Sequence, residues 1–429
     1  MTTRQITEMI YDQSLRSVNF FNGRLLTAED LSKEQAGSRE ERRRLGRALG
    51  AGVAWGLEVS MTAGADQVRE PSVTITPGLA IDRRGQTLLL EETVDLALKV
   101  TPTRAATGGI TAFQMCRTQD EDAYVAGAGL YLLTLTSGEG REGRALVSGL
   151  GNVEASCNTR YHVPGLQFRL TQFINLQLPN DRDRLRNWAA YRCFGSEEVF
   201  QSPYANPFGP RQPSYGLIDS LRPNRLADCE VPLALVYWTS SGGLVFVDMW
   251  AARRRLTPTE EAAAGWPRFM SDRHASEAEA MFQQFQAQLE DLRKQSVVAN
   301  ALQAKAHFRY VPPAGIIPLR NAREGRGYDE TLFFQGIPRH PMRYIEGARL
   351  EYLLRASFAY PPLDLDSGVM VWIYRVRENA EAIQNNVPNP PQPFLVYASG
   401  HMPYLGDPHY DVNRAGYSNF ADQTLGGGT

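Results

Sequence analysis

The sequence predicts a mainly β protein with added helix: an N-terminal polar helix, an antiparallel β domain with a long loop-rich insertion, a long central helix, and a smaller α+β or β C-terminal domain. Three observations carry this expectation. Residues 28–49 are helical in pattern and strongly polar. From Val53 the apolar period changes to two, with short runs separated by Pro-Gly, Arg-Gly and Ser-Gly-Gly turns. Residues 257–306 then return to helical spacing. A chain of 429 residues exceeds one ordinary core. The segments divide as 1–50, 51–256 with an insertion over 138–228, 257–306, and 307–429.

The first distinctive stretch is "VNFFNGRLLTAEDL" at 18–31. Phe20 and Phe21 are suited to plug into an apolar surface, and Asn22-Gly23 supplies the conformations of a tight turn. Leu25, Leu26 and Leu31 continue the apolar character. Thr27 with Asp30 three residues on forms a helix N-cap pattern, Asp standing where Glu or Gln is usual. In the helix that follows, acidic residues come early and arginines late, which complements the macrodipole, and Gly50 and Gly52 end it. Its few apolar points are Leu31, Ala36, Leu45, Ala48 and Leu49, so it belongs on the surface or against a partner. The glutamates within "REERRRLGR" favour an ion-paired face over a nucleic-acid patch.

Strands follow. Val53, Trp55, Leu57 and Val59 alternate with smaller or polar residues, and "PSVTITPGLAIDRRGQTLLLEETVDLAL" continues as short strands. "GLYLLTLTSGEG" is another strand. Residues 138–228 show little periodicity beyond a short helix in "RDRLRNWAAYRCF". "VPLALVYWTSSGGLVFVDMWAARRRL" then gives a hairpin. Thr257 and Pro258 open the central helix as cap and first residue. Within it Ala278, Phe282, Phe285, Leu289, Leu292, Ser296 and Ala299 follow 4-3-4-3 spacing, about three heptads of seam. That seam either packs on the β domain or pairs with copies of itself, and the scarcity of accompanying apolar residues favours self-association. In the last segment "HFRYVPPAGIIPL" is a linker into a strand, "RYIEGARLEYLLRASFA" a helix, and "SGVMVWIYRVREN" and "QPFLVYASGHMPY" strands. The glycine-ended C-terminus is an arm or tail, and no repeat of solenoid or propeller length occurs.

The totals exclude several classes. Forty-five basic residues balance 47 acidic ones, which is not the profile of a nucleic-acid-coating or disordered chain. Only Lys33, Lys99, Lys294 and Lys305 are lysine; arginine suits planar interface contacts, and codon bias explains the excess equally well. Cys116, Cys157, Cys193 and Cys229 lack zinc or redox spacing; reduced thiols are the expectation, with a disulfide within the 116–229 stretch left open by the sequence. No signal-peptide stretch or membrane-length apolar run is present, so a soluble chain made in the cytoplasm is expected.

Chemistry-bearing patterns are sparse. The six histidines are scattered singly. "SGHMPYLGDPHYD" gathers His401, Asp407, His409 and Asp411, a pattern better explained as a polar loop than as a metal site. Asp364 and Asp366 share a face of "PLDLDSG", where paired carboxylates can hold Ca²⁺ or flank a scissile bond; a turn explains them as well. Nucleophile-elbow and phosphate-loop motifs are missing from the sequence. No catalytic residue, metal ligand or cofactor is therefore assigned. A carbohydrate- or cell-surface-binding β protein and a hydrolase using Asp364 and Asp366 stand as alternatives to a structural protein.

Taken in order, "FFNGRLLTAEDLSKEQ", "RRRLGRALGAGVAWGLEV" and "VTITPGLAIDRRGQTLLL" resemble the N-terminal region of baseplate-associated structural proteins of phage-tail-like contractile injection systems. The shared order is an aromatic-Asn-Gly-x-x-Leu segment with a following Asp, a polar helix, a Gly-rich turn, a Gly-Leu-x-Val strand and a Pro-Gly-x-Ala-Ile-Asp strand. Residues 231–256 and "HFRYVPPAGIIPL" resemble later blocks. More loosely, the opening is similar to the secretion-system baseplate adaptor and phage receptor-binding shoulder proteins. The resemblance implies a non-enzymatic, oligomeric particle component, a trimer by analogy, at the level of baseplate or fibre attachment. Phe20, Phe21, Asn22, Gly23, Leu25, Leu26 and Leu31 would dock on a neighbour. Phe282, Phe285, Leu289 and Leu292 would line an oligomerisation helix. Baseplate, sheath or fibre subunits are the implied partners, with assembly into a particle in the cytoplasm or released by lysis.

Overall fold

The computed structural model describes residues 17–68, 70–98, 110–115, 128–144, 159–196, 215–258, 272–295, 302–320, 327–385 and 389–405. Strand slightly outweighs helix, so the chain is of mixed character, mainly β, as its sequence predicts. Helix α1 spans Ala28–Leu49, and its Thr27–Asp30 capping box is formed in both directions.

Six short strands follow: β1 (Gly52–Gly56), β2 (Val59–Met61), β3 (Ser72–Ile75), β4 (Gly78–Ile81), β5 (Thr87–Leu90) and β6 (Val94–Ala97). They form two antiparallel three-stranded sheets ordered β1-β4-β5 and β2-β3-β6. A larger antiparallel sheet is built from β7 (Ile110–Met115), β8 (Gly129–Arg144), β9 (Thr159–Gln172), β10 (Glu230–Thr239) and β11 (Gly243–Asp248). Tyr131, Leu133 and Leu135 of β8 join Val53, Leu57, Val73, Ile75 and Leu88 in one core. Leu130 and Leu132 point the other way, into a second core with α2 (Leu185–Phe194), Ala251 and Met281. The sheet is thus buried on both faces, which accounts for the unbroken apolar run "LYLL".

Within the 138–228 stretch, whose residues 145–158 and 197–214 lie outside the described residues, part is regular strand that its sequence does not announce. β8 continues to Arg144 and β9 pairs with it from Tyr131↔Gln172 to Arg144↔Thr159. Pro164 and Gly165 obscure the strand, although Leu166, Phe168 and Leu170 do alternate within it. The hairpin of β10 and β11 turns at Ser240–Gly242, as expected. Thr257 is not a helix cap; it bridges to Ala51, tying the chain after β11 to the entry of β1.

The long helix is described over Asp272–Gln295; residues 259–271 and 296–301 of the predicted stretch lie outside the described residues. Its buried positions recur in pairs every four residues: Ser276 and Glu277, Ala280 and Met281, Gln284 and Phe285, Gln288 and Leu289. Half of that face is polar, which is why apolar spacing alone misreads it. Gln284 donates to Asp248 and to Gln288, each at 2.9 Å. The helix joins two cores, with Ala280 and Met281 in the second β-domain core and Phe285 and Leu289 in the C-terminal one. Phe285 packs edge-on against Phe308 (5.0 Å) and Tyr397 (5.7 Å). The seam residues Phe285 and Leu289 are therefore covered by this chain's own structure, and Phe282 and Leu292 are half-buried. This corrects the leaning towards self-association through that seam.

In the C-terminal part, β12 (Tyr310–Val311) pairs with β15 (Leu363–Asp364). A four-stranded sheet is ordered β13 (Ala314–Pro318), β17 (Phe394–Ser399), β16 (Val371–Val376), β14 (Arg343–Ile345). "RYIEGARLEYLLRASFA" opens as β14 before becoming the helix Gly347–Ser357, so β14 can run parallel to β16 through a helical crossover. Asn187 of α2 clasps this part to the β domain. Its amide donates to the Tyr310 carbonyl (2.6 Å) and accepts from the Arg309 and Tyr310 amides (2.9 Å each). Tyr191 stacks on Tyr310 with ring centroids 3.6 Å apart.

Cys229 is disulfide-bonded, which corrects the expectation of a reduced thiol there. Cys193 is free and buried, and burial pushes its thiol up to about 12. Cys116 and Cys157 lie outside the described residues.

Candidate docking surface

The arm ahead of α1 is shaped by a few polar contacts. Phe21 accepts from the Arg24 amide at 3.2 Å across the Asn22-Gly23 turn, and Gly23 sits at φ 89°, where a side chain would be strained. Arg24 reaches both ways, to the Asn19 carbonyl (2.6 Å) and the Asp30 carboxylate (3.0 Å). Asp30 also accepts from the Thr27 amide (3.2 Å), and the Thr27 hydroxyl accepts from the Asp30 amide (3.1 Å). The hydrogen bonds from Thr27, aided by the Arg24 charge, hold the Asp30 carboxyl below its usual range. The Val18 amide donates to Glu34 (3.1 Å), so the arm folds back along the first turns of the helix.

This ordering leaves the apolar side chains outside. Phe20 is 56% exposed, Phe21 62% and Leu25 91%, and Leu26 and Leu31 are about half exposed. Phe20, Phe21, Leu25, Leu26 and Leu31 thus make an exposed apolar stretch ahead of and into α1 in the single chain. Helix α1 beyond this stretch buries only Gly46. Leu45 and Leu49 are also exposed, and whole-turn spacing sets them on the same side as Leu31.

The mount of α1 was not legible as a site, though its glycines were visible. Gly46 lies against Gly85 in the β4–β5 turn so closely that a methyl group on either would overlap backbone of the other element. Gly50 lies equally close to Thr257, and its amide donates to the Gly46 carbonyl. Asp82 shapes the receiving turn by accepting from the Arg84 and Gln86 amides (2.9 and 2.8 Å). Burial pushes the Asp82 carboxyl upward.

The residues considered for chemistry are otherwise engaged. Asp364 pairs with Arg309 (3.3 Å) and accepts from the Asp366 amide (2.9 Å), while Asp366 pairs with Arg184 (3.1 Å). They form a turn that is ion-paired to Arg184 at the start of α2 and to Arg309 beside β12. His401 follows β17, and Asp407, His409 and Asp411 lie outside the described residues. Among the described residues no three His, Cys, Asp or Glu side chains gather as a metal-ligand set. A groove of about 240 Å³ beside Gln172 and Asn175 is lined without any charged side chain. No described helix is long and apolar enough to cross a membrane. Compared with protein-family models and with curated protein sequences, the chain matches neither a family nor a relative.

Proposed function

We propose that this chain is a non-enzymatic structural subunit of a contractile, phage-tail-like injection particle, docking on a neighbouring subunit through the 18–31 arm and α1. One observation carries the reading. A 22-residue helix, roughly 33 Å long, buries a single residue of its own chain yet is capped, ion-paired and fixed at one end by glycine contacts. In proteins most helical stability comes from tertiary packing of a buried face, which this helix lacks within its own chain. Its exposed Lys33–Glu29 pair (2.8 Å) and part-exposed Arg47–Glu40 pair (2.8 Å) add about 1 kcal/mol or less each. Packing against another subunit would supply the missing stabilisation, about 1.5–3 kcal/mol for each Phe ring fully buried. The sequence resemblance supplies the kind of particle, at the baseplate or fibre-attachment level.

The test is incorporation. Particles purified from cells carrying Phe20→Asp with Phe21→Asp should lack the chain, while the variant still folds by circular dichroism. Incorporation at the wild-type level would remove the proposal.

A further inference from the structure

The long strand β8 is flanked on both edges, and on one of them two strands meet end to end. Tyr131 pairs with both Val236 of β10 and Gln172 of β9, so β10 and β9 lie on opposite edges. Glu139 pairs with both Gln114 of β7 and Pro164 of β9, so β7 shares the edge of β10. Both β7 and β10 run antiparallel to β8, which makes one follow the other along that edge. β7 reaches Met115 opposite Gly138, and β10 starts at Glu230 opposite Thr136. Only Ser137 lies between those two positions. The residue after Met115 is Cys116, and the residue before Glu230 is Cys229.

We infer that Cys229 makes its disulfide with Cys116, an oxidation-dependent staple that fastens the end of β7 to the entry of β10. The chain has four cysteines and Cys193 is free, which leaves Cys116 and Cys157 as partners. Cys157 is out of reach. It is two residues from Thr159, which pairs with Arg144, and Arg144 is seven β8 positions beyond Ser137. Seven positions span roughly 23 Å, and crossing from one edge of β8 to the other adds about 10 Å sideways. Two residues recover at most about 7 Å, and bonded cysteines have Cα atoms no more than about 7 Å apart. Met115 and Glu230, by contrast, stand two positions apart on one edge, about 7 Å, and one peptide of about 3.8 Å separates Met115 from Cys116.

The β10 side is a firm anchor. Cys229 is buried, the Asp228 carbonyl accepts from the Arg83 amide (3.0 Å), and buried Glu230 pairs with buried Arg169 (2.6 Å). β7 pairs with β8 alone among the described strands, so the bond is what ties it to a second element. It closes by thiol–disulfide exchange with a low-molecular-weight disulfide. One cysteine thiolate attacks that disulfide and expels a first thiolate, and the other cysteine attacks the mixed disulfide and expels the second. The two cysteine protons end on the two released thiols, and the oxidant takes up the two electrons. The pairing stands independently of the docking proposal.

Two measurements on the full-length chain test this. In the first, reduced chain is refolded in a buffer of oxidised and reduced glutathione, quenched with acid, unfolded, alkylated and digested with trypsin without reductant. Peptides 105–117 and 226–253, which hold Cys116 and Cys229, should appear as one linked species that reduction separates. Peptides 145–160 and 193–211, which hold Cys157 and Cys193, should be alkylated. A link from 145–160 to 226–253, or alkylation of all four cysteines, would overturn the inference. In the second, hydrogen exchange compares the oxidised and reduced chain. Reduction should speed exchange across 110–115 at least fivefold while 230–239 stays protected. Cys116→Ser should reproduce that change without reductant, and Cys157→Ser should not. Exchange across 110–115 that is the same in both redox states would overturn the stapling role.

Discussion

Gly46 of α1 and Gly85 of the β4–β5 turn meet backbone to backbone, with no room for a side chain on either. Gly85 additionally sits at φ 81°, which a side chain would strain. Because Gly46 is the only buried residue of α1, this contact and the neighbouring Gly50 seat decide whether the helix has a fixed direction. Gly46→Val should therefore free α1 without unfolding the β domain. Hydrogen exchange across residues 28–49 should accelerate at least tenfold, while β8 and β10 keep their protection. Unchanged exchange in α1 would show that the helix is held by something else.

The Asn187 clasp makes a second prediction. Asn187 is buried and satisfies three backbone groups of the Arg309–Tyr310 segment. Asn187→Ala leaves those groups without partners and should cost about 2–4 kcal/mol. Asn187→Asp keeps the acceptor but sets a buried carboxylate against the Tyr310 carbonyl, and should be no better. Urea denaturation followed by tryptophan fluorescence measures both.

Asp82 should give the fold a pH dependence of known sign. Burial raises its folded pKa above that of the unfolded chain. Its contribution is then fully present below the unfolded value, near 4, and is lost as pH rises through the raised folded value. Asp82→Asn retains an acceptor for the Arg84 and Gln86 amides and lacks the titration, so wild-type stability relative to this variant should fall as pH rises above about 4. Asp82→Ala should lose about 1–3 kcal/mol near pH 4 and less as pH rises. Denaturant midpoints across that range check the sign.

How legible this was in the sequence varied with the kind of signal. The α1 boundaries and its cap were readable because Thr27, Asp30 and Gly50 act locally. The β10–β11 hairpin was readable because its turn chemistry and apolar alternation agree. The long helix was readable but its buried face was misread, because Gln284, Gln288 and Glu277 are buried by hydrogen bonds and ion pairs that no apolar period records. β9 was missed because a Pro-Gly pair interrupts it, and the outward turn of Trp55 because a one-residue irregularity reverses a strand's facing. Of the candidate site, the arm was visible as an aromatic-turn-cap motif. Its glycine mount depends on contacts between residues far apart in the chain.

The paired acids Asp364 and Asp366 separate the structural reading from the hydrolase alternative. Both carboxylates are partly exposed and paired with arginines. Asp364→Asn with Asp366→Asn should change stability by less than about 1 kcal/mol for each surface pair. Particle assembly and activity should be unaffected. Loss of particle activity with assembly intact would favour a catalytic role.

The central claim is that the arm docks. Hydroxyl-radical footprinting of Phe20 and Phe21 in the free chain and in the assembled particle tests it most directly. Both rings should oxidise rapidly in the free chain, where they are more than half exposed, and be protected at least fivefold in the particle. Equal oxidation of both rings in the two states would contradict it.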